Sequence, residues 1–103
     1  MTYEVVLDAL GDRTRRHVFE SLRARPMTVG ELAERQPVSR PAVSQHLRVL
    51  EAAGLVNVEA QGNRRYYSIR REGLEQLRSY VESYWSDVLG AFAAEIELRR
   101  TKN

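Results

Sequence analysis

The chain has 103 residues, 43% hydrophobic and 29% charged, with a net charge of +2, which bounds it to one domain with a modest core. The absence of cysteine excludes disulfides, thiol redox chemistry and thiolate metal sites. No apolar run reaches the length of a membrane span, and Met1-Thr2-Tyr3-Glu4-Val5 lacks the basic-then-apolar order of a secretory signal, so the cytoplasm is the expected compartment.

In chain order, Tyr3, Val6, Leu7 and Leu10 recur at helical spacing and predict a short amphipathic helix over Thr2–Leu10, closed by Gly11. Asp12 is placed to cap a second helix running to about Arg23, with Val18, Phe19 and Leu22 inward and Arg13, Arg15 and Arg16 outward. Arg25-Pro26 ends it. Thr28 and Glu31 form a T-x-x-E capping box that opens a short third helix burying Leu32 and Ala33. Gln36-Pro37-Val38 is the turn into a fourth helix, Ser39–Ala53. There Ser39 is the cap, Pro41 falls in the first turn, and Val43, Leu47 and Leu50 form one buried stripe.

Gly54 supplies a left-handed stop. Two β-rich runs follow, Leu55–Ala60 and Arg65–Ile69, joined by Gln61-Gly62-Asn63-Arg64 as a hairpin loop. Tyr66 and Tyr67 alternate across the second strand, so one should face the core and the other should not. Glu72–Leu98 then reads as one long helix without proline.

The expected architecture is mainly α with a β-hairpin wing, an α+β winged helix-turn-helix occupying residues 1–103 as a single domain. Charge follows that layout. Residues 39–71 hold six arginines against two glutamates, whereas residues 72–98 hold six carboxylates against one arginine. The middle is built to meet phosphate and the last helix is not. Fifteen of the sixteen basic residues are arginine, which forks onto phosphates and guanine edges better than lysine does. Coding bias accounts for part of that preference but not for its placement.

A capped helix with a polar face, followed by a basic hairpin, suits a major groove and its flanking phosphates. Ser44, Gln45 and Arg48 are the candidates for base-edge contact, while Ser39, Arg40 and Pro41 lie at the helix start where phosphate is favoured. His46 flanks the buried stripe, leaving DNA contact and a structural hydrogen bond both open. Gln61, Asn63, Arg64 and Arg65 at the hairpin tip are expected on the backbone or in the minor groove. The alternative for each set is an ordinary solvated polar face. For Arg13, Arg15 and Arg16 that alternative is the favoured one.

The last helix is too apolar for the edge of a small monomer. Leu74, Leu77, Val81, Trp85, Val88, Phe92 and Ile96 make one stripe, widened by Tyr80, Tyr84, Leu89 and Ala91. The surplus, with Tyr3, Val6 and Leu7 of the first helix, predicts a homodimer interface. The competing reading folds those aromatics back on the chain's own core.

From Ala9 to Ile69 the sequence resembles the ArsR/SmtB family of winged-helix repressors. The resemblance rests on A-L-G-D-R-T-R-R at 9–16, T-V-G-E-L-A at 28–33, V-S-R-P-A-V-S-Q-H-L-R-V-L at 38–50, A-G-L-V at 53–56 and G-N-R-R-Y-Y at 62–67. It implies a homodimer paired through its first and last helices, bound to a dyad-symmetric double-stranded DNA operator and repressing transcription. Members resembling the arsenical repressors carry a cysteine pair where this chain has Thr28 and Gly30. Zinc-sensing members place histidines on the long last helix, and residues 72–98 contain none. The two histidines, His17 and His46, share no ligand spacing. The expectation is therefore the metal-independent branch, with no metal site, no cofactor and an effector that the sequence does not name.

No catalytic residue is expected, because neither a nucleophile-base pair nor a phosphate-cradling glycine loop is present. Two rival functions fit the same fold. One is a protein-interaction module whose basic wing docks an acidic partner; the other is a sensor binding a small ligand or hard cation through carboxylates such as Asp87 and Glu95.

Overall fold

The computed structural model describes residues 2–101. Five helices and one hairpin follow in the order α1 (Tyr3–Gly11), α2 (Arg13–Ser21), α3 (Val29–Glu34), α4 (Arg40–Ala52), β1 (Val56–Gln61), β2 (Arg64–Ile69) and α5 (Arg71–Thr101). Three of the starts are fixed by capping side chains. Asp12 accepts from the Arg15 amide at 2.8 Å and Ser39 from the Ala42 amide at 3.3 Å. Thr28 accepts from the Glu31 amide at 3.2 Å while the Glu31 carboxylate returns to the Thr28 amide at 3.2 Å. Each such cap satisfies an amide that a helix N-terminus otherwise leaves unpaired.

Helix α4 ends in a Schellman motif. Leu55 N–H donates to Leu50 C=O at 2.9 Å and Gly54 N–H to Glu51 C=O at 3.0 Å, with Gly54 at φ 75°. Leu50 and Leu55, the two residues closed by the outer bond, are both buried, so the stop also contributes to the core.

The hairpin pairs Val56 with Ile69 through Gln61 with Arg64. Its loop is therefore only Gly62-Asn63, shorter than the four-residue connection expected from Gln61 to Arg64, and positive φ is confined to Gly62 at 61°. Glycine at the first central position suits a tight two-residue hairpin. The first strand begins at Val56 because Leu55 is held by the helix stop. A bridge from Met27 to Tyr67 ties the wing to the body, with N–H···O bonds of 3.0 and 2.8 Å. Tyr67 packs against the core, as one of the two tyrosines should.

The core comprises Val6, Ala9, Val18, Phe19, Leu22, Met27, Leu32, Val43, Leu47, Leu50, Ala53, Leu55 and Val56. Burial of each large side chain contributes about 1.5–3 kcal/mol. This corrects one expectation. Val6 is wholly buried inside its own chain and is unavailable to a partner, because α1 turns that side onto α2 and α5. Tyr3 is half-buried and stacks on Tyr80 at 4.1 Å between ring centroids, while Leu77 packs against the core edge. The start of α5 thus completes its own head.

Beyond Tyr80 the helix leaves the head. Its 31 residues span about 46 Å at 1.5 Å per residue, and the molecule measures 71 × 25 × 22 Å. Its radius of gyration is 19.2 Å, against about 13 Å for a compact chain of this length. Trp85 is 62% and Phe92 68% exposed. The reading that these aromatics fold back on the chain's own core does not describe this structure.

Candidate nucleic-acid interface

Helix α3, its turn and α4 form the helix-turn-helix pair. Burial of Val43, Leu47 and Leu50 on one side of α4 turns Gln45 and Arg48 to solvent, and Arg40 and Pro41 are exposed in its first turn. Ser44 and His46 lie at the margins and are half-buried. The side chains expected to meet base edges therefore share one helix, with Gln45 and Arg48 outermost.

The Asp12 carboxyl is held below the usual carboxylate range, chiefly by the hydrogen bond it accepts from the Arg15 amide, with loss of solvation opposing and the Arg15 guanidinium adding to the depression. No hydrogen bond or ion pair of the His46 side chain is formed among the described residues, so both roles stay open.

In the wing, Gln61, Asn63, Arg64 and Arg65 are all exposed. Arg64 and Arg65 do not stand apart from the helix pair. Together with Thr28, Val29, Gly30, Glu31 and Glu34 of the α3 region and Arg40 of α4, they line an open cleft of about 480 Å³. Arg40 reaches it by lying over Gly30, whose missing side chain leaves the space: a Cβ there would come within 3.1 Å of the Arg40 Nη2. Among the described residues Arg40, Arg64 and Arg65 form no salt bridge, whereas Glu31 is engaged by Arg25 at 2.7 Å. That ion pair, with the Thr28 amide and hydroxyl, keeps the Glu31 carboxyl below its usual range.

Two arginines of α2 have a different use. Arg15 donates from Nε to the Ala9 carbonyl, and Arg16 from Nη1 to the Leu10 carbonyl at 2.8 Å. They satisfy the open C-terminal carbonyls of α1. Arg16 and Arg13 are exposed, while Arg15 is half-buried rather than directed wholly outward. Neither these caps nor the seat of Arg40 over Gly30 is signalled by spacing; an isolated glycine inside a short helix is the one hint the sequence offers.

Among the described residues no three His, Asp or Glu side chains are grouped to hold a metal ion. Among the described residues no helix is long and apolar enough to cross a membrane.

A helix-turn-helix pair with a capped outer helix, flanked by an arginine-tipped hairpin, defines a winged helix-turn-helix DNA-binding protein. Comparison with known proteins agrees with the geometry. A family model described as a helix-turn-helix domain matches residues 10–59. The HTH-type transcriptional regulator Rv2034 of Mycobacterium tuberculosis is 47% identical over 89 residues, covering 86% of this chain and 83% of its own. The transcriptional repressor SdpR of Bacillus subtilis is 34% identical over 79 residues, 77% of this chain and 88% of its own. In three dimensions the chain is similar to the homodimeric winged helix-turn-helix domain of Mb0332 from Mycobacterium bovis, described as a possible ArsR-family regulator. The TM-score is 0.67 at 25% identity, covering 84% of this chain and 81% of that one. The chain belongs to the ArsR family of winged helix-turn-helix transcriptional regulators.

Proposed function

We infer that the protein is a repressor that binds a dyad-symmetric DNA operator as a homodimer and takes no signal from a Cys/His metal site. The observation that carries this reading is the division of the surface between two ends. Arg40, Arg64 and Arg65, without ion-pair partners among the described residues, and the Gln45–Arg48 face gather at the head, while the apolar stripe from Val81 to Ile96 stands uncovered on a projecting helix. A monomer rarely exposes a contiguous apolar surface of that extent. Pairing two copies covers the stripe and holds two reading heads at a fixed separation, which is the geometry a dyad-symmetric site requires.

Leu7, Val81, Tyr84, Trp85, Val88, Leu89 and Phe92 are the exposed members of the interface, with Tyr3, Leu77 and Tyr80 at its edge. Repression is supported by the likeness to SdpR, and pairing by the likeness to the homodimeric Mb0332 domain. The cytoplasm is the compartment in which such a protein meets its DNA.

Selection of bound duplexes from a random pool tests the reading. A motif with two-fold symmetry, bound by two chains, is the expected result. A reporter driven by a promoter overlapping that motif should fall when the protein is expressed. Recovery of no motif, or a rise in the reporter, would remove operator binding or repression respectively.

A further inference from the structure

We propose that Gly30 is a positioning residue for DNA binding: the space left by its missing side chain seats the Arg40 guanidinium in the cleft with Arg64 and Arg65, so that recognition helix and wing hold one backbone phosphate together. This rests on the reading of the head as a DNA-binding surface. Three observations carry it. Arg40 stands in the first turn of α4, yet its guanidinium lies across α3, with Nη2 3.1 Å and Cζ 3.3 Å from where a Gly30 Cβ would be. The same cleft is lined by both wing arginines. None of the three has an ion-pair partner among the described residues.

The charge balance of the lining favours an anion. Glu31 is already committed to Arg25 and to the Thr28 cap. Glu34 is the remaining carboxylate, set against three guanidinium groups. Guanidinium donors form charge-assisted, often bidentate bonds to phosphate oxygens. Their position beside the start of the reading helix makes a phosphodiester of the bound duplex the occupant.

Gly30 is the second residue of α3, in its first turn, and alanine there restricts the unfolded chain more than glycine does at a backbone conformation both can adopt. Its φ lies outside the positive range, so no backbone requirement calls for glycine there. The atoms nearest to an added Cβ all belong to the far end of the Arg40 side chain, which can move away without disturbing the fold. Alanine at position 30 should therefore have opposite effects on folding and on binding.

The test measures Gly30→Ala, Arg40→Ala, Arg64→Ala and the double variants for thermal unfolding and for anisotropy of a fluorescent duplex carrying the selected motif. Gly30→Ala should melt higher than wild type and bind roughly three- to tenfold more weakly, a part of the effect of removing a charge-assisted hydrogen bond. Added to Arg40→Ala, it should cost no further affinity. Duplexes in which one phosphate at a time is a neutral methylphosphonate should reveal one position per half-site to which wild type is sensitive and both arginine variants are not. The proposal is overturned if Gly30→Ala binds like wild type, if its loss persists without Arg40, or if Arg40 and Arg64 respond to different phosphates. Failure of wild type to bind any duplex would instead remove the DNA-binding reading itself.

Discussion

Gly73, near the start of α5, sits so tightly on Gly54 that a Cβ in its place would collide with the Gly54 carbonyl and come within 3.1 Å of the Leu55 Cα. The long helix is thereby laid directly across the left-handed stop that ends the reading helix. Arg70 N–H, donating to the Leu55 carbonyl at 2.8 Å, fastens the same crossing one turn earlier. The orientation of α5 relative to α4, and so the spacing of two heads joined through α5, depends on this close approach of two backbones.

Gly73→Ala should therefore destabilise the fold by about 1–3 kcal/mol, because the obstructing atoms are backbone and cannot rotate away. Gly90→Ala is the matched control. A Cβ there meets nothing within 4 Å, so it should stabilise by about 0.5–1 kcal/mol through helix propensity alone. Urea denaturation of the two variants checks the contrast; equal effects would mean that the crossing adapts.

Trp85 is 62% exposed in the single chain, so its contribution falls on assembly rather than on the head. Trp85→Ala should weaken the dimer by about 3–5 kcal/mol if the partner buries the ring fully. The head should keep its fold. Sedimentation velocity reads the association directly, and a monomeric wild type at micromolar concentration would defeat the prediction.

Reading and anchoring should separate by residue. Alanine at Gln45 or Arg48 should cost about 1–3 kcal/mol on the preferred operator and relax choice at one base pair of each half-site. Alanine at Arg64 or Arg65 should weaken binding to every sequence and flatten the salt dependence by about one unit for each phosphate left without its arginine. In a symmetric dimer each change is present twice. Titrations of matched and scrambled duplexes at several salt concentrations distinguish the two behaviours, and an Arg48→Ala loss that is equal on both duplexes would reverse the assignment.

Zinc, cadmium and arsenite at stoichiometric levels should leave operator affinity unchanged. The donor set is the reason: there is no thiol, and His17 and His46 lie on α2 and α4 without a third ligand grouped beside them among the described residues. A tight zinc isotherm coupled to DNA release would overturn this.

Acid should act on the α2 cap. The Asp12 pKa is lowered in the folded chain, mainly by the Arg15 amide. Its stabilising share is therefore fully present above the ordinary carboxylate pKa and disappears as pH falls through the lowered folded value. Asparagine also caps helices but does not titrate in this range. Asp12→Asn should thus fold well at neutral pH and lose less stability between neutral and acidic pH than wild type does. Denaturation curves at both ends of that range decide it, and identical acid losses would assign the sensitivity elsewhere.

Much of the head is legible in the chain itself. The caps at Asp12, Thr28 and Ser39, the stop at Gly54 and the buried stripe of α4 all appear as expected. So does the hairpin, apart from its loop length, which strand pairing carries two residues further into the predicted loop. These features are local. A capping bond joins residues three apart and a helical stripe repeats every three or four, so neighbouring residue types are enough to reveal them.

What only the tertiary structure decided are contacts between residues far apart in the chain. Val6 and Leu7 look alike in sequence, yet packing buries the first and leaves the second outside. Arg15 and Arg16 read as a solvated face until α1 places its last carbonyls within their reach. Met27 carries no local signal for its bridge to Tyr67. Nothing in the local sequence sets Gly30 and Gly73 apart until Arg40 and Gly54 occupy the space beside them. Composition and periodicity determined which surfaces are apolar, polar or basic; the angles at which the helices cross determined which atoms meet, because those angles come from the packing of the whole core and no local stretch of chain encodes them.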